Sequence, residues 1–300
     1  MRVCLGCETT AIEMEQPPKT GEWLKEESKM RNGIRGLLFI FVVSIALSSI
    51  AVANLKDGLL GYWPLDEADG KTAADSSGNG NDATLKGNGV KWKPNGGRLG
   101  GALEFDGGGD AAEDDNGADY INGLTAITVA VWVKSAETKS DRGFIDGRDP
   151  GGDDTVLSLR YDAAGFEAGG SDLVKAGITT TGGIQRLETS SDVQTQSWQH
   201  FALTWSSGNE LALYIDGELD TPTFNSPATK GKLTDATKLV IGKGEKDQGR
   251  SWNGLIDDVR IYDRVLDDDE IADLAAGELA VKASGKLTTV WGHLKQKGTP

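Results

Sequence analysis

Residues 252–274, WNGLIDDVRIYDRVLDDDEIADL, hold the pattern that decides the fold. Strict alternation puts Leu255, Asp257, Val259 and Ile261 on one side of a strand and Ile256, Asp258, Arg260 and Tyr262 on the other. After Tyr262 the period changes. Leu266, Ile271 and Leu274 suit a short helix, with acidic residues 267–270 at its positive N-terminal end. Asp257 is the anomaly, a carboxylate in line with three aliphatic side chains. An unpaired buried charge is very costly, so the spacing predicts a partner: an arginine, backbone amides or a metal ion.

Outward from that stretch the chain is dominated by short alternating runs. They fall at residues 61–65, 102–105, 127–133, 143–145, 156–161, 184–189, 199–205, 211–215, 239–241 and 255–262. Turn dipeptides separate many of them: Asp57-Gly58, Asn95-Gly96, Asn122-Gly123 and Asp216-Gly217. Many short strands and a single late helix predict an all-β, antiparallel two-sheet sandwich over residues 57–277, with a tail at 278–300. That tail carries Trp291 among several lysines and reads as a solvated terminus with one apolar anchor, or as a docking element for another protein.

Residues 30–53 read as a secretory signal: basic Arg31 and Arg35, an apolar core at 37–50, and the small-residue site Ala51-Val52-Ala53 with cleavage after Ala53. Residues 1–29 form a polar lead holding both cysteines, Cys4 and Cys7, too little for a redox or metal motif. The first 53 residues are balanced in charge, so the remainder keeps the whole net charge of −15. That charge argues against nucleic acid and anionic lipid, and no membrane association is expected once the signal is removed. A cysteine-free secreted domain depends on its own core, and an acidic one is suited to bound divalent cations.

Asp75, Ser77, Asn79 and Asn81 alternate through a glycine-punctuated loop. That spacing suits a hard cation or self-contained Asx turns. An EF-hand is excluded, because Lys86 stands where that motif needs glutamate. His200 has no nucleophile or metal partner beside it in sequence and reads as structural. Trp92, within Val90-Lys91-Trp92-Lys93-Pro94, is the least constrained tryptophan and the best candidate to stack on a sugar, with core or edge packing as the alternative.

Seven segments in order carry a resemblance. They are LGYWPLDE at 60–67, DSSGNGN at 75–81, GGALEFDG at 100–107, TVAVWV at 128–133, WQHFALTW at 198–205, LYIDG at 213–217, and the strand at 254–262 with its helix. Together they resemble the laminin-G-like jelly-roll domains of the concanavalin A-like lectin/glucanase superfamily, over residues 58–275. The resemblance implies a jelly roll, and one structural calcium held partly by Asp257 in a D-x-V-R-x-Y strand, with Asp66, Asp75 and the Asp106 turn as candidate co-ligands; Asn79 joins the metal candidates through the loop spacing. The alternative is an ion pair from Asp257 to Arg98 or Arg260. Related glycosidases place an E-x-D-x-(x)-E run on one strand, which this chain lacks. The expectation is a secreted non-catalytic module that binds a glycan through edge-loop residues Asp146, Arg148 and Asp149. An extracellular protein partner is the alternative, and a diverged glycoside hydrolase a third reading.

Overall fold

A computed structural model describes residues 55–147, 156–244 and 250–277. The expected signal at 30–53, the lead at 1–29 and the tail at 278–300 lie outside the described residues. Two antiparallel sheets make a sandwich. The first runs β14 (Glu218–Leu219), β13 (Ala212–Ile215), β12 (Trp198–Ser206), β7 (Ala126–Ser135), β17 (Asn253–Tyr262), β5 (Leu103–Asp106) and β4 (Lys91–Trp92), with β1 (Leu59–Trp63) paired to the far half of β17. The second runs β15 (Phe224–Asn225), β11 (Gly183–Glu188), β10 (Ser171–Thr180), β9 (Leu157–Ala164), β8 (Arg142–Asp146), β16 (Leu239–Ile241), β6 (Ala111–Asp114), β3 (Ala83–Lys86) and β2 (Thr72–Ala73).

Alternation makes the core. Register sets Phe201 beside Val131, Leu203 beside Val129 and Trp205 beside Ile127, and all six side chains are buried. From the second sheet Leu157, Leu159, Tyr161, Val174 and Ile178 face them within one apolar cluster. Aromatic rings tie the layers together. Phe144 stacks on Phe201 at 5.5 Å and meets Tyr161 edge-on at 5.8 Å, while Trp252 lies 5.5 Å from both Phe144 and Tyr161. Such contacts add to the burial itself, about 0.5–1.5 kcal/mol per pair.

The strict alternation expected along β17 does not hold. Between Ile256 and Arg260 the strand carries one residue more than β7 opposite, a β-bulge, and Asp258 takes a left-handed backbone at φ 48°. Aspartate tolerates that region better than most residues. Ile256, Val259 and Ile261 therefore all enter the core, whereas Asp257 pairs with Trp132 on the outer face of the sheet. Asp257 never shares a face with Val259 and Ile261, and the anomaly is resolved by backbone geometry.

Two helices are present among the described residues, one more than expected: α1 (Gly117–Ile121) and α2 (Asp268–Ala276). The late helix begins with a capping box, Asp267 accepting from the Glu270 amide at 2.9 Å and Glu270 from the Asp267 amide at 2.9 Å. Gly277 closes it in a left-handed conformation, φ 69°. Leu266, Ile271 and Leu274 pack on Ala130, Ala202, Tyr214 and Tyr262, so the helix covers part of the outer face of the first sheet.

Arg264 grips Glu270 through two hydrogen bonds of 2.6 Å, and these hold the carboxyl below the usual glutamate range against the opposing effect of burial. A depressed pKa gives stability that is present above the unfolded value, about 4.3, and lost as pH falls through the folded one. Glu270→Gln should therefore cost about 1–3 kcal/mol at pH 7 and progressively less as pH falls below the unfolded glutamate value of about 4.3. Urea melts across an acidic pH series check this, and a pH-independent difference would contradict it.

Candidate functional site

The residues expected to bind metal fall in two places. In the loop at 75–81 the Asp75 carboxylate is fully engaged. Its Oδ1 accepts from the amides of Tyr62 (2.9 Å) and Ser77 (2.8 Å), and its Oδ2 from the Ser77 hydroxyl (2.7 Å) and the Asn81 amide (3.0 Å). Burial would raise its pKa, but these bonds together leave it lowered. Asn79 and Asn81 turn their amide groups inward onto the carbonyls of Leu59 and Leu60. N–H and O–H donors thus occupy the position a cation would need, so these side chains fit a self-satisfied Asx loop and not a calcium site.

Asp66 and Asp257 flank the glycine-rich segment at 96–101. Asp257 Oδ2 accepts from the Leu99 amide at 2.8 Å, and Asp66 Oδ1 accepts from the Gly101 amide. Only glycine fits at position 97, because a Cβ there would lie 2.6 Å from Asp257 Oδ2 and 1.7 Å from the Gly101 carbonyl oxygen. Neither arginine considered as a partner takes Asp257. Arg260 pairs with Asp258 at 2.6 and 3.0 Å and lies 4.2 Å over the Tyr62 ring, while Arg98 lies 4.8 Å over Trp132. Asp257 is fully buried and its Oδ1 has no partner. Burial first, then the nearby charges of Asp258 and Asp66, push its pKa up to about 7, with the Leu99 and Arg98 amides opposing. Among the described residues no three His, Cys, Asp or Glu side chains are grouped to hold a metal.

His200 stands beside Trp132 in register, ring centroids 5.2 Å apart. It is buried, and desolvation and then Arg260 push its pKa down to about 3. It is neutral at physiological pH, and its Nδ1 has no hydrogen-bond partner.

The outer face of the second sheet has a different chemistry. Leu157, Leu159 and Tyr161 of β9 point into the core, so Ser158, Arg160 and Asp162 point out. Register aligns Arg160, Lys175 and Glu188 across β9, β10 and β11. Asp162 Oδ2 lies 3.2 Å from Arg160 Nε, 3.2 Å from Lys175 Nζ and 3.9 Å from Arg250 Nη2; Lys175 Nζ reaches Glu188 at 3.5 Å. Burial raises the Asp162 pKa, but Lys175 and Arg160 more than offset it and leave it lowered.

Over this face folds the β9–β10 hairpin loop, residues 165–170. Glu188 holds it by accepting from the amides of Phe166 (2.8 Å), Glu167 (3.2 and 3.1 Å) and Ala168 (3.2 Å). The Phe166 ring is left 82 % exposed, 6.0 Å from the Lys175 ammonium.

Of the residues expected to bind ligand, Asp146 ends β8 on this second sheet, buried and opposite Ser158. Arg148 and Asp149 lie outside the described residues. Trp92 lies apart, on β4 at the edge of the first sheet. Its ring is half-buried against the core and its Nε1 donates to the Gly70 carbonyl at 3.0 Å, so its apolar face is used in packing. Phe166, Lys175 and Glu188 were not singled out by the sequence reading. The available signal was one aromatic residue beside Glu167 in a turn otherwise made of alanine and glycine, Ala163-Ala164-Gly165-Phe166-Glu167-Ala168-Gly169-Gly170.

Residues 106–272 match the Laminin_G_3 family, and the chain belongs to the concanavalin A-like lectin/glucanase superfamily. A stretch of 76 residues is 36 % identical to the human adhesion G-protein coupled receptor D1, spanning 25 % of this chain and 9 % of that receptor. Among solved structures, domain 4 of AbnA, a GH43 extracellular arabinanase from Geobacillus stearothermophilus in complex with arabinotriose, is similar with a TM-score of 0.53 and 20 % identity, over 72 % of this chain and 98 % of that one. A botulinum neurotoxin type C structure, described as entering cells through two ganglioside molecules, is similar with a TM-score of 0.51 and 15 % identity, over 75 % of this chain and 52 % of that one. A Trypanosoma rangeli sialidase mutant with trans-sialidase activity is similar with a TM-score of 0.50 and 20 % identity, over 73 % of this chain and 32 % of that one. At these identities the likeness is one of fold. No helix among the described residues is long and apolar enough to cross a membrane.

The raised Asp257 pKa sets a testable pH dependence. An unfolded aspartate releases its proton near 3.9, whereas the folded one keeps it to about 7, so the native state binds more protons in between. The contribution of this group to stability is most favourable below about pH 4, declines as pH rises toward 7, and is level above that. Asp257→Asn should flatten the decline in Tm between pH 4 and 7; a decline as steep as in wild type would show that another group causes it.

Proposed function

We propose that this chain is a secreted, non-catalytic recognition module whose ligand is a carbohydrate, bound on the outer face of the second sheet beside the β9–β10 loop. The observation that carries the reading is the exposed Phe166 ring, on a loop whose amides Glu188 holds beside charged side chains of the sheet. An apolar ring face beside polar groups is what a pyranose, with its C–H face and hydroxyl edge, calls for. The similarity to a domain solved with arabinotriose agrees with such a use of this fold, although fold alone does not assign a ligand.

The carboxylates of the face argue against hydrolysis. A glycosidase needs a general acid whose pKa is raised, and the Asp162 pKa is lowered by its cations. Glu188 is occupied by three amides and an ammonium. Asp257 has a raised pKa but is fully buried, out of reach of a polysaccharide. Phe166→Ala should leave Tm within about 1 °C, because the ring is exposed, and should weaken binding on a glycan array at least tenfold, in line with about 1.5–3 kcal/mol for an apolar side chain covered by ligand. Unchanged glycan binding would sink this placement. Absence of glycan binding in the wild type, with capture of an extracellular protein, would favour the adhesive alternative.

A second reading concerns a structural calcium, favoured by the unpartnered, buried Asp257 Oδ1 with the Asp66 carboxylate nearby. A divalent cation there would replace the proton that Asp257 otherwise keeps. Calcium should then raise the Tm of the wild type at pH 8 and not that of Asp257→Asn. No change in either protein on adding calcium or chelator removes the ion from the account.

A further inference from the structure

Independently of the carbohydrate reading, we infer that the C-terminal segment 286–291, KLTTVW, pairs as an added strand with the open edge of the first sheet at β14 of the same chain. β14 ends its sheet, with no described strand beyond it. The hairpin that makes it turns at Asp216-Gly217, and the Asp220 amide donates to the Leu213 carbonyl at 2.8 Å. Leu213 and Asp220 thus form a hydrogen-bonded pair, so Tyr214 and Leu219, next along the ladder, form a non-hydrogen-bonded one. The Leu219 N–H and C=O therefore point away from β13, toward the open edge. Its side chain shares the outer face with Tyr214 and is 59 % exposed. An edge that offers backbone groups and an apolar side chain together is a template for another strand.

Position, charge and pattern name the occupant. The last turns of α2 pack on the hairpin turn, where a Cβ on Gly217 would lie 3.0 Å from that of Ala275. The chain leaves that helix at Gly277, just past Ala275, and the stretch from there to Lys286 reaches up to about 30 Å when extended. Asp216 and Glu218 on the hairpin and Asp269 and Asp273 on α2 are exposed. Neither residues 209–229 nor residues 265–277 contain a lysine or arginine to balance them. The tail supplies Lys282, Lys286, Lys295 and Lys297 against one acid, Glu278. Within it Leu287, Thr289 and Trp291 alternate with Thr288 and Val290, a β-branched and aromatic run suited to a strand. Laid against β14, that strand sets Leu287 and Trp291 over Leu219, on the face that α2 covers in part. It closes an edge that would otherwise recruit other chains.

Hydrogen exchange read by mass spectrometry on the full chain tests the pairing. In the wild type the amides of residues 286–291 should exchange at least about tenfold more slowly than in a free peptide of that sequence, at any protein concentration. Leu219→Lys sets a cation among the lysines of the tail at an exposed position, and should remove most of that protection. Trp291→Asp should do the same and also speed exchange at the Leu219 amide, a reciprocal loss that a tail docked elsewhere does not produce. Thermal melts confirm that each variant is folded; should Leu219→Lys not fold, the effect of Trp291→Asp on the Leu219 amide still decides. Free-peptide rates in the wild type, or protection that neither variant moves, overturn the proposal. Protection that grows with protein concentration, together with a dimer mass in solution, assigns the strand to a second copy and overturns pairing within one chain.

Discussion

The bulge in β17 is the constraint on which most of the first sheet depends. That strand touches β1, β5 and β7, and its apolar residues must enter the core from both halves. One extra residue at Asp257–Asp258 shifts the phase so that Ile256 and Ile261 both face inward, across β7 from Val133 and Val129. The same shift releases two carboxylates from the core. Asp258 takes the Arg260 guanidinium and the Tyr62 hydroxyl, at 3.1 Å, and so latches β1 to β17. Asp257 takes the amides of the glycine segment and closes that loop over Trp132. A strand without the extra residue would have to bury Asp257 in the core, at a cost far above that of one positive φ.

The two outer faces then diverge. On the first sheet, α2 covers a second apolar cluster that includes Ala130, Ala202 and Tyr262. On the second sheet the outward charges of β9, β10 and β11 pair with one another. Buried ion pairs of this kind contribute little net stability compared with apolar packing, yet leaving one partner alone is expensive. Their presence on β9, β10 and β11 is therefore hard to ascribe to stability. What it does in the structure is hold Glu188 in place beneath the β9–β10 loop, whose amides that carboxylate accepts.

Much of the fold was legible because alternation is a strong signal where one face is buried. The runs around Val129, Leu203 and Ile261 each contain three or more inward aliphatic or aromatic residues, and the Asp267 cap announces α2. The bulge was not legible, since nothing in Leu255-Ile256-Asp257-Asp258-Val259 distinguishes a straight strand from a phase shift. β10 was missed for a related reason. Its outward positions mix Leu173, Lys175 and Gly177 and it opens with Ser171 and Asp172, so its apolar residues do not alternate as a run. With β10 unseen, Lys175 had no face, and the row it forms with Arg160 and Glu188 depends on pairings that link residues 160, 175 and 188. Trp92 drew attention through its chemistry alone, and its burial was decided by an edge strand of two residues.

The exposure of Phe166 gains its meaning from the cost of holding it there. A mobile loop would let an exposed phenyl ring fold down onto the nearest apolar surface. Here the loop is closed at its base by the Gly165 amide donating to the Gly170 carbonyl at 3.0 Å, a turn so tight that a Cβ on Gly165 would lie 2.0 Å from the Gly169 oxygen. Above that base Glu188 takes three consecutive amides. Ordering a loop of this kind costs conformational entropy during folding, about 1–2 kcal/mol per residue for the backbone alone. A cost met at folding is not met again at binding, which is how pre-organised sites gain affinity from few contacts.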